Sequence, residues 1–292
     1  MCKKCGIKMV GSIEQGLYLT QSGEANINNG KPPVVLLHGL FGMGRNLGGI
    51  ARELSNDYAV FAFDLPNHGR SPHSDVMTIS SMADDVLAML DHLGLAAVNV
   101  LGHSLGGKVA MSLALRYPSR VHKMIVADIA PVTYPAKHDV ILASLGAIDV
   151  QQATSRAEVQ QLLQAAIEDK PTCQFLMQNL EKTEQGFRWR MNLSAIINNY
   201  AELRQGLFLE DDDFSDGRND SAGRNDSAGH RAFEKPVLFI AGENSNYIKP
   251  EYKTLSRALF PNCVFKEVAG AGHWLHAEKP EAFNALVLEF FE

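Results

Sequence analysis

The chain has 292 residues, 46% of them hydrophobic and 21% charged, which excludes a disordered or fibrous protein and suits a large globular domain carrying an insertion. Its formal net charge of −6 gives no basic footprint, so nucleic acid is not an expected partner. No apolar run approaches the roughly 18 residues that a membrane span needs, so no membrane association is expected.

In chain order, Met1–Gly6 carries lysines with no apolar stretch behind them, so no secretory leader is expected. Cys2 and Cys5 have the spacing of half a zinc site, but no second Cys/His pair accompanies them; no metal is expected. Four cysteines in all fit a reducing cytoplasm. A hairpin is expected around Met9–Thr20. Candidate strands follow at Val34–Leu37, Ala59–Phe63, Val98–Leu101, Met124–Ala127, Val237–Ile240 and Val264–Val268; runs like Val34–Leu37 lack polar alternation, as in parallel strands buried on both faces. Between them, Thr78–Leu93 places Met82, Val86, Leu87, Leu90 and Leu93 at helical spacing, with Thr78 or Ser80 to cap its start and Gly94 its end. Strand–helix alternation predicts an α/β fold, a mostly parallel sheet covered by helices on both faces.

The alternation breaks after Asp128-Ile129-Ala130-Pro131. Residues 136–209 contain no convincing strand, while 159–167 and 193–203 read as helices. The expected organisation is a core over residues 9–135, an inserted helical cap over 136–209, a flexible loop over 210–230 and a second part of the core over 231–292. Such a cap would overhang the carboxyl ends of the strands, where open α/β sheets bind ligands. The loop holds a hexapeptide, Arg218–Gly223, repeated at once as Arg224–Gly229; two copies are too few for a solenoid.

Gly102-His103-Ser104-Leu105-Gly106-Gly107 follows a strand-like run and opens a helix over Lys108–Tyr117. That context makes it a nucleophile elbow, with Ser104 on a sharp turn that only glycines two residues either side allow. A serine hydroxyl needs a base, and in this arrangement the chain order is serine, acid, histidine. His273, in Gly270-Ala271-Gly272-His273, is favoured as base over His276 because it directly follows a glycine turn. His103 is not favoured, and His38 is assigned to bracing its loop. The customary acid position holds Ser245 within Gly242–Ile248, and serine cannot carry the charge that stabilises an imidazolium. Asp128, ending the strand after the nucleophile's helix, is the favoured acid, and Glu243 the alternative. Amides of Leu105 and of Phe41, in the loop His38–Gly44, are the expected oxyanion donors. Trp189 and Trp274 are candidate substrate contacts. No phosphate-binding loop of the Gly-x-x-x-x-Gly-Lys type is present, and no cofactor is expected.

Together with Asp64–Pro72, Asp128–Val132 and Gly272–Pro280, these stretches resemble the α/β-hydrolase superfamily, and within it the bacterial YbfF-type esterases and their abhydrolase-11 relatives. Asn67, where most superfamily members have glycine, and Ser245 fit that narrower group. The resemblance implies an acid at Asp128 and hydrolysis of small-molecule carboxylic esters, mostly of short acyl chains, or of acyl-CoA thioesters. Lys108 and Arg190 are the cations available for CoA phosphates. The same triad could instead serve a C–C bond hydrolase or a perhydrolase, or the fold could be a non-catalytic binding protein. The residues leave the oligomeric state open.

Overall fold

The computed structural model describes residues 8–10, 16–207, 224–225 and 231–292. Cys2 and Cys5 lie outside the described residues, as does the doubled hexapeptide apart from the backbone of 224–225.

An eight-stranded sheet organises the molecule. Its strands are β1 (Lys8–Val10), β2 (Leu19–Ser22), β3 (Val34–Leu37), β4 (Val60–Phe63), β5 (Val98–His103), β6 (Val121–Ala127), β11 (Val237–Gly242) and β12 (Cys263–Val268). They lie in the order β1-β2-β4-β3-β5-β6-β11-β12. The β1/β2 and β2/β4 pairs are antiparallel, as the expected hairpin requires; all pairs from β4 to β12 are parallel. Every residue of β3, β4 and β5 is buried, which explains the unbroken apolar runs of β3 and β4; β5 also buries Asn99 and His103.

Helices cover both faces. On one side α2 (Ile79–His92) and α3 (Leu105–Arg116) pack Met82, Val86, Leu90, Val109 and Leu113 into the larger core cluster. On the other, α1 (Gly48–Leu54) and α10 (Pro280–Phe291) add Ile50, Leu54, Phe283 and Val287 to a second cluster. The Thr78 side chain accepts from the Ser81 amide at 3.0 Å and closes a capping box at the start of α2. Two further helices, α8 (Tyr252–Leu259) and the single turn α9 (Leu275–Glu278), flank β12 in sequence.

Between β6 and β11 the chain builds α4 (Asp139–Ala147), α5 (Arg156–Ala166), α6 (Lys170–Leu176) and α7 (Leu193–Leu203). It is not strand-free. β7 (Leu180–Thr183) and β8 (Gly186–Trp189) form an antiparallel hairpin with Leu180 opposite Trp189. Each strand has four residues, too short for periodicity to register. The two-residue strands β9 (Arg224–Asn225) and β10 (Arg231–Ala232) also pair.

Candidate active site

Ser104 sits between β5 and α3 with φ 51° and ψ −118°, a region that non-glycine residues occupy only when their surroundings impose it. Its amide donates to the Ala127 carbonyl of β6 at 2.9 Å. The flanking glycines are obligatory: a Cβ on Gly102 would lie 2.2 Å from the Gly106 carbonyl oxygen, and one on Gly106 2.3 Å from that of Leu37. Strand and helix therefore meet backbone to backbone, and the serine is lifted onto the strand ends.

The loop after β12 brings His273 to the same edge. Its Nδ1 lies 2.7 Å from Asp128 Oδ2. The ring stacks on Tyr247, centroids 4.1 Å apart at 22°. Nδ1–H donating to the carboxylate leaves the Nε2 lone pair free to take a proton. Asp128 is fully buried at the end of β6 with φ 52°. It also accepts from Ser245 Oγ at 2.5 Å and from the Gly242 amide at 3.2 Å. Ser245 thus stands at the customary acid position as a donor to an acid supplied from another strand. Glu243 instead accepts from the Gly270 amide at 2.6 Å. His276 faces His103, centroids 4.6 Å apart; burial lowers its pKa to about 4. His103 Nε2 lies 2.8 Å from the His273 carbonyl oxygen, an N–H donation that ties the elbow to the histidine loop.

Two buried histidines shape the loop after β3. His38 Nδ1–H donates to the Gly39 carbonyl at 2.8 Å, and its Nε2 accepts from the Leu65 amide at 2.9 Å; the expected bracing role holds. His68 Nδ1–H donates to the Pro66 carbonyl at 2.9 Å. Burial lowers the pKa of His38 to about 4 and of His68 to about 3, so each is neutral and has one accepting nitrogen. For His68 that nitrogen takes the Phe41 amide at 3.1 Å. The expectation that Phe41 offers its N–H to an oxyanion is therefore corrected: the donor is already spent. Leu40, one residue earlier, and Leu105, the first residue of α3, have amides with no hydrogen-bond partner among the described residues.

Ser104 borders two cavities. The larger, about 230 Å³, is also lined by His273, Trp274, Phe175, Leu40 and Phe41. The smaller, about 50 Å³, is closed by Leu105, Tyr134, Tyr200, Tyr247 and Leu203. Within the larger cavity no hydrogen bond joins Ser104 Oγ to His273; such contacts are often long until substrate binds. An open depression of about 990 Å³ beside Leu17, Asp85 and His92 shares no lining residue with either cavity.

Trp274 lines the larger cavity, tilted at 44° against Phe175 with ring centroids 5.6 Å apart. Trp189 does not; it packs against the main core from β8, so its assignment as a substrate contact is corrected. Neither expected phosphate cation is free. Lys108 is buried and donates to the carbonyls of Leu203 and Gln205; burial lowers its pKa to about 7. Arg190 pairs with Glu181 at 3.4 Å.

A serine on a glycine-framed elbow, an imidazole oriented by a buried carboxylate and a parallel sheet covered on both faces define an α/β hydrolase. The chain belongs to that family, whose alpha/beta hydrolase fold profile matches residues 32–280. It is similar to the esterase YbfF of Escherichia coli (strain K12), 34% identical over 263 residues that cover 90% of this chain and 93% of that protein. It is also similar to the sn-1-specific diacylglycerol lipase ABHD11 of Mus musculus, 32% identical over 281 residues, 94% of this chain and 84% of that protein. The solved structure of a marine microorganism esterase matches with a TM-score of 0.84 at 35% identity, covering 94% of this chain and 99% of that one. These relatives agree with the resemblance carried by the motifs.

Proposed function

We propose that this protein hydrolyses carboxylic esters through an acyl-enzyme on Ser104. The observation that carries the reading is the His273–Asp128 contact of 2.7 Å beside a cavity that Ser104 also lines; the esterase and lipase relatives support it. His273 Nε2 takes the Ser104 proton as Oγ bonds to the substrate carbonyl carbon. The resulting oxyanion is held by the amides of Leu105 and Leu40, the latter replacing Phe41. His273 then gives its proton to the leaving alkoxide as the C–O bond breaks. A water, deprotonated by the same nitrogen, attacks the acyl-enzyme and releases the acid and Ser104. Asp128 holds the tautomer, with Ser245 and the Gly242 amide holding Asp128.

The 50 Å³ cavity beside Ser104 supports a short acyl group of about three or four non-hydrogen atoms there. The larger apolar cavity suits the alcohol side. The cap expected over residues 136–209 finds support in Tyr200 and Leu203, which border the small cavity. An acyl-CoA thioester finds less support, because Lys108 and Arg190 are both engaged.

A fluorophosphonate probe and p-nitrophenyl esters of rising chain length test this reading. Ser104 is expected to label, His273→Ala to suppress labelling, and turnover to fall beyond short acyl chains. Unlabelled wild-type Ser104, or labelling undiminished in His273→Ala, overturns it.

A further inference from the structure

The loop over residues 38–44 is held by bonds within itself and by bonds to the segment just after β4. Gly39 O receives His38 Nδ1–H and the Gly42 amide, Phe41 N–H reaches His68, and the Gly44 amide reaches Asp64 Oδ1 at 2.6 Å. A further constraint comes from the segment between β6 and β11. Asn179, fully buried just before β7, donates its Nδ2–H to the Phe41 carbonyl at 2.7 Å. Its Oδ1 has no partner among the described residues, and the flipped amide would set two oxygens face to face, so the donor orientation is the one that bonds. Its neighbour Gln178 secures the next turn, receiving Arg45 on its carbonyl at 3.2 Å and Asn46 on Oε1 at 2.8 Å.

Phe41 needs such support because its φ of 62° is one that a bulky side chain does not hold unaided. His68 pins its N–H and Asn179 its C=O. If the carbonyl is released, Phe41 can relax to negative φ, and the Leu40 amide one residue back swings with it. We infer that Asn179 is a positioning residue for the reaction: by bonding the Phe41 carbonyl it keeps the Leu40 amide aimed at the oxyanion, so transition-state stabilisation is complete only while the segment between β6 and β11 is seated on this loop. The inference rests on the ester-hydrolase reading above and adds to it a residue that touches neither substrate nor triad.

The test compares the wild type with Asn179→Leu, which keeps the fork at Cγ but has no donor, and with Asn179→Ala. Readouts are p-nitrophenyl acetate kinetics, inhibition by phenylboronic acid (whose adduct places an oxygen where the oxyanion forms) and thermal melting. Both variants are expected to lose about 30-fold in kcat with KM within about twofold, a smaller loss than removing an oxyanion donor outright. The inhibition constant of the boronic acid should rise in proportion to the loss in kcat/KM. A merely structural role would lower the melting temperature and leave that proportionality absent. Retention of kcat within about threefold in a folded variant, or an unmoved inhibition constant, overturns the inference. Fluorophosphonate labelling of the wild type separates the two levels. An unlabelled, inactive wild type defeats the hydrolase reading and this inference together; a labelled, active wild type with unaffected variants defeats the Asn179 inference alone.

Discussion

Asp128 receives hydrogen bonds from His273, Ser245 and the Gly242 amide, two of them on the same oxygen. That arrangement makes the carboxylate hard to replace. Asp128→Asn keeps the shape but offers an amide where Nδ1–H must donate, so kcat on a short ester should fall by about 10³- to 10⁴-fold. Glu243→Gln, whose carboxylate serves Gly270, should change kcat by less than about threefold. The opposite ranking in steady-state assays would reassign the acid. Ser245→Asp restores the customary residue but sets two carboxylates in hydrogen-bond contact, which cannot both ionise; lower kcat and a lower melting temperature are expected. Ser104 and His273 were legible because glycine spacing marks the turns that carry them. Leu40 was not, because which amide of the loop stays free depends on His68, 27 residues from Phe41.

At the scale of elements, the crossing of β3, β5 and α3 is set by contacts that leave no room for a methyl group. Gly102→Ala or Gly106→Ala should each cost at least about 2–3 kcal/mol, read as a lower urea midpoint, since the added carbon meets backbone that cannot move aside. Thr78→Ala removes one side of the α2 capping box and should cost about 1 kcal/mol in the same measurement. A Gly102→Ala protein of wild-type stability would show that the elbow relaxes. The central strands β3, β4 and β5 were readable because every residue in them is buried, whereas β12, expected as a strand over Val264–Val268, is an edge strand in which only Val268 is buried. The β7/β8 hairpin was not readable, because its strands have only four residues each, with Glu181-Lys182 adjacent in one and Arg188 alone in the other, and leave no pattern that outweighs a loop.

For the whole molecule, the buried neutral histidines couple stability to pH. His38 and His68 titrate at about 4 and about 3 in the folded protein because burial disfavours their charged forms, against about 6.5 when unfolded. Between those limits the unfolded chain binds more protons, so stability is full above pH 6.5 and is lost as pH falls toward 4. The two residues together should remove on the order of 4 kcal/mol between pH 7 and pH 5, measured by urea unfolding at each pH. A midpoint unchanged across that range would mean that neither is held neutral.

Residue order alone determined the strand–helix alternation, the elbow at Ser104 and the glycine turn that carries His273 after the last strand, because buried apolar runs and glycine-dependent turns are local properties written in neighbouring residues. Tertiary structure decided which carboxylate meets His273, that the Phe41 amide bonds His68 and that Asn179 reaches Phe41. Each of these is a competition for hydrogen-bond partners between segments far apart in the chain. Such a competition is settled only when those segments are packed against one another.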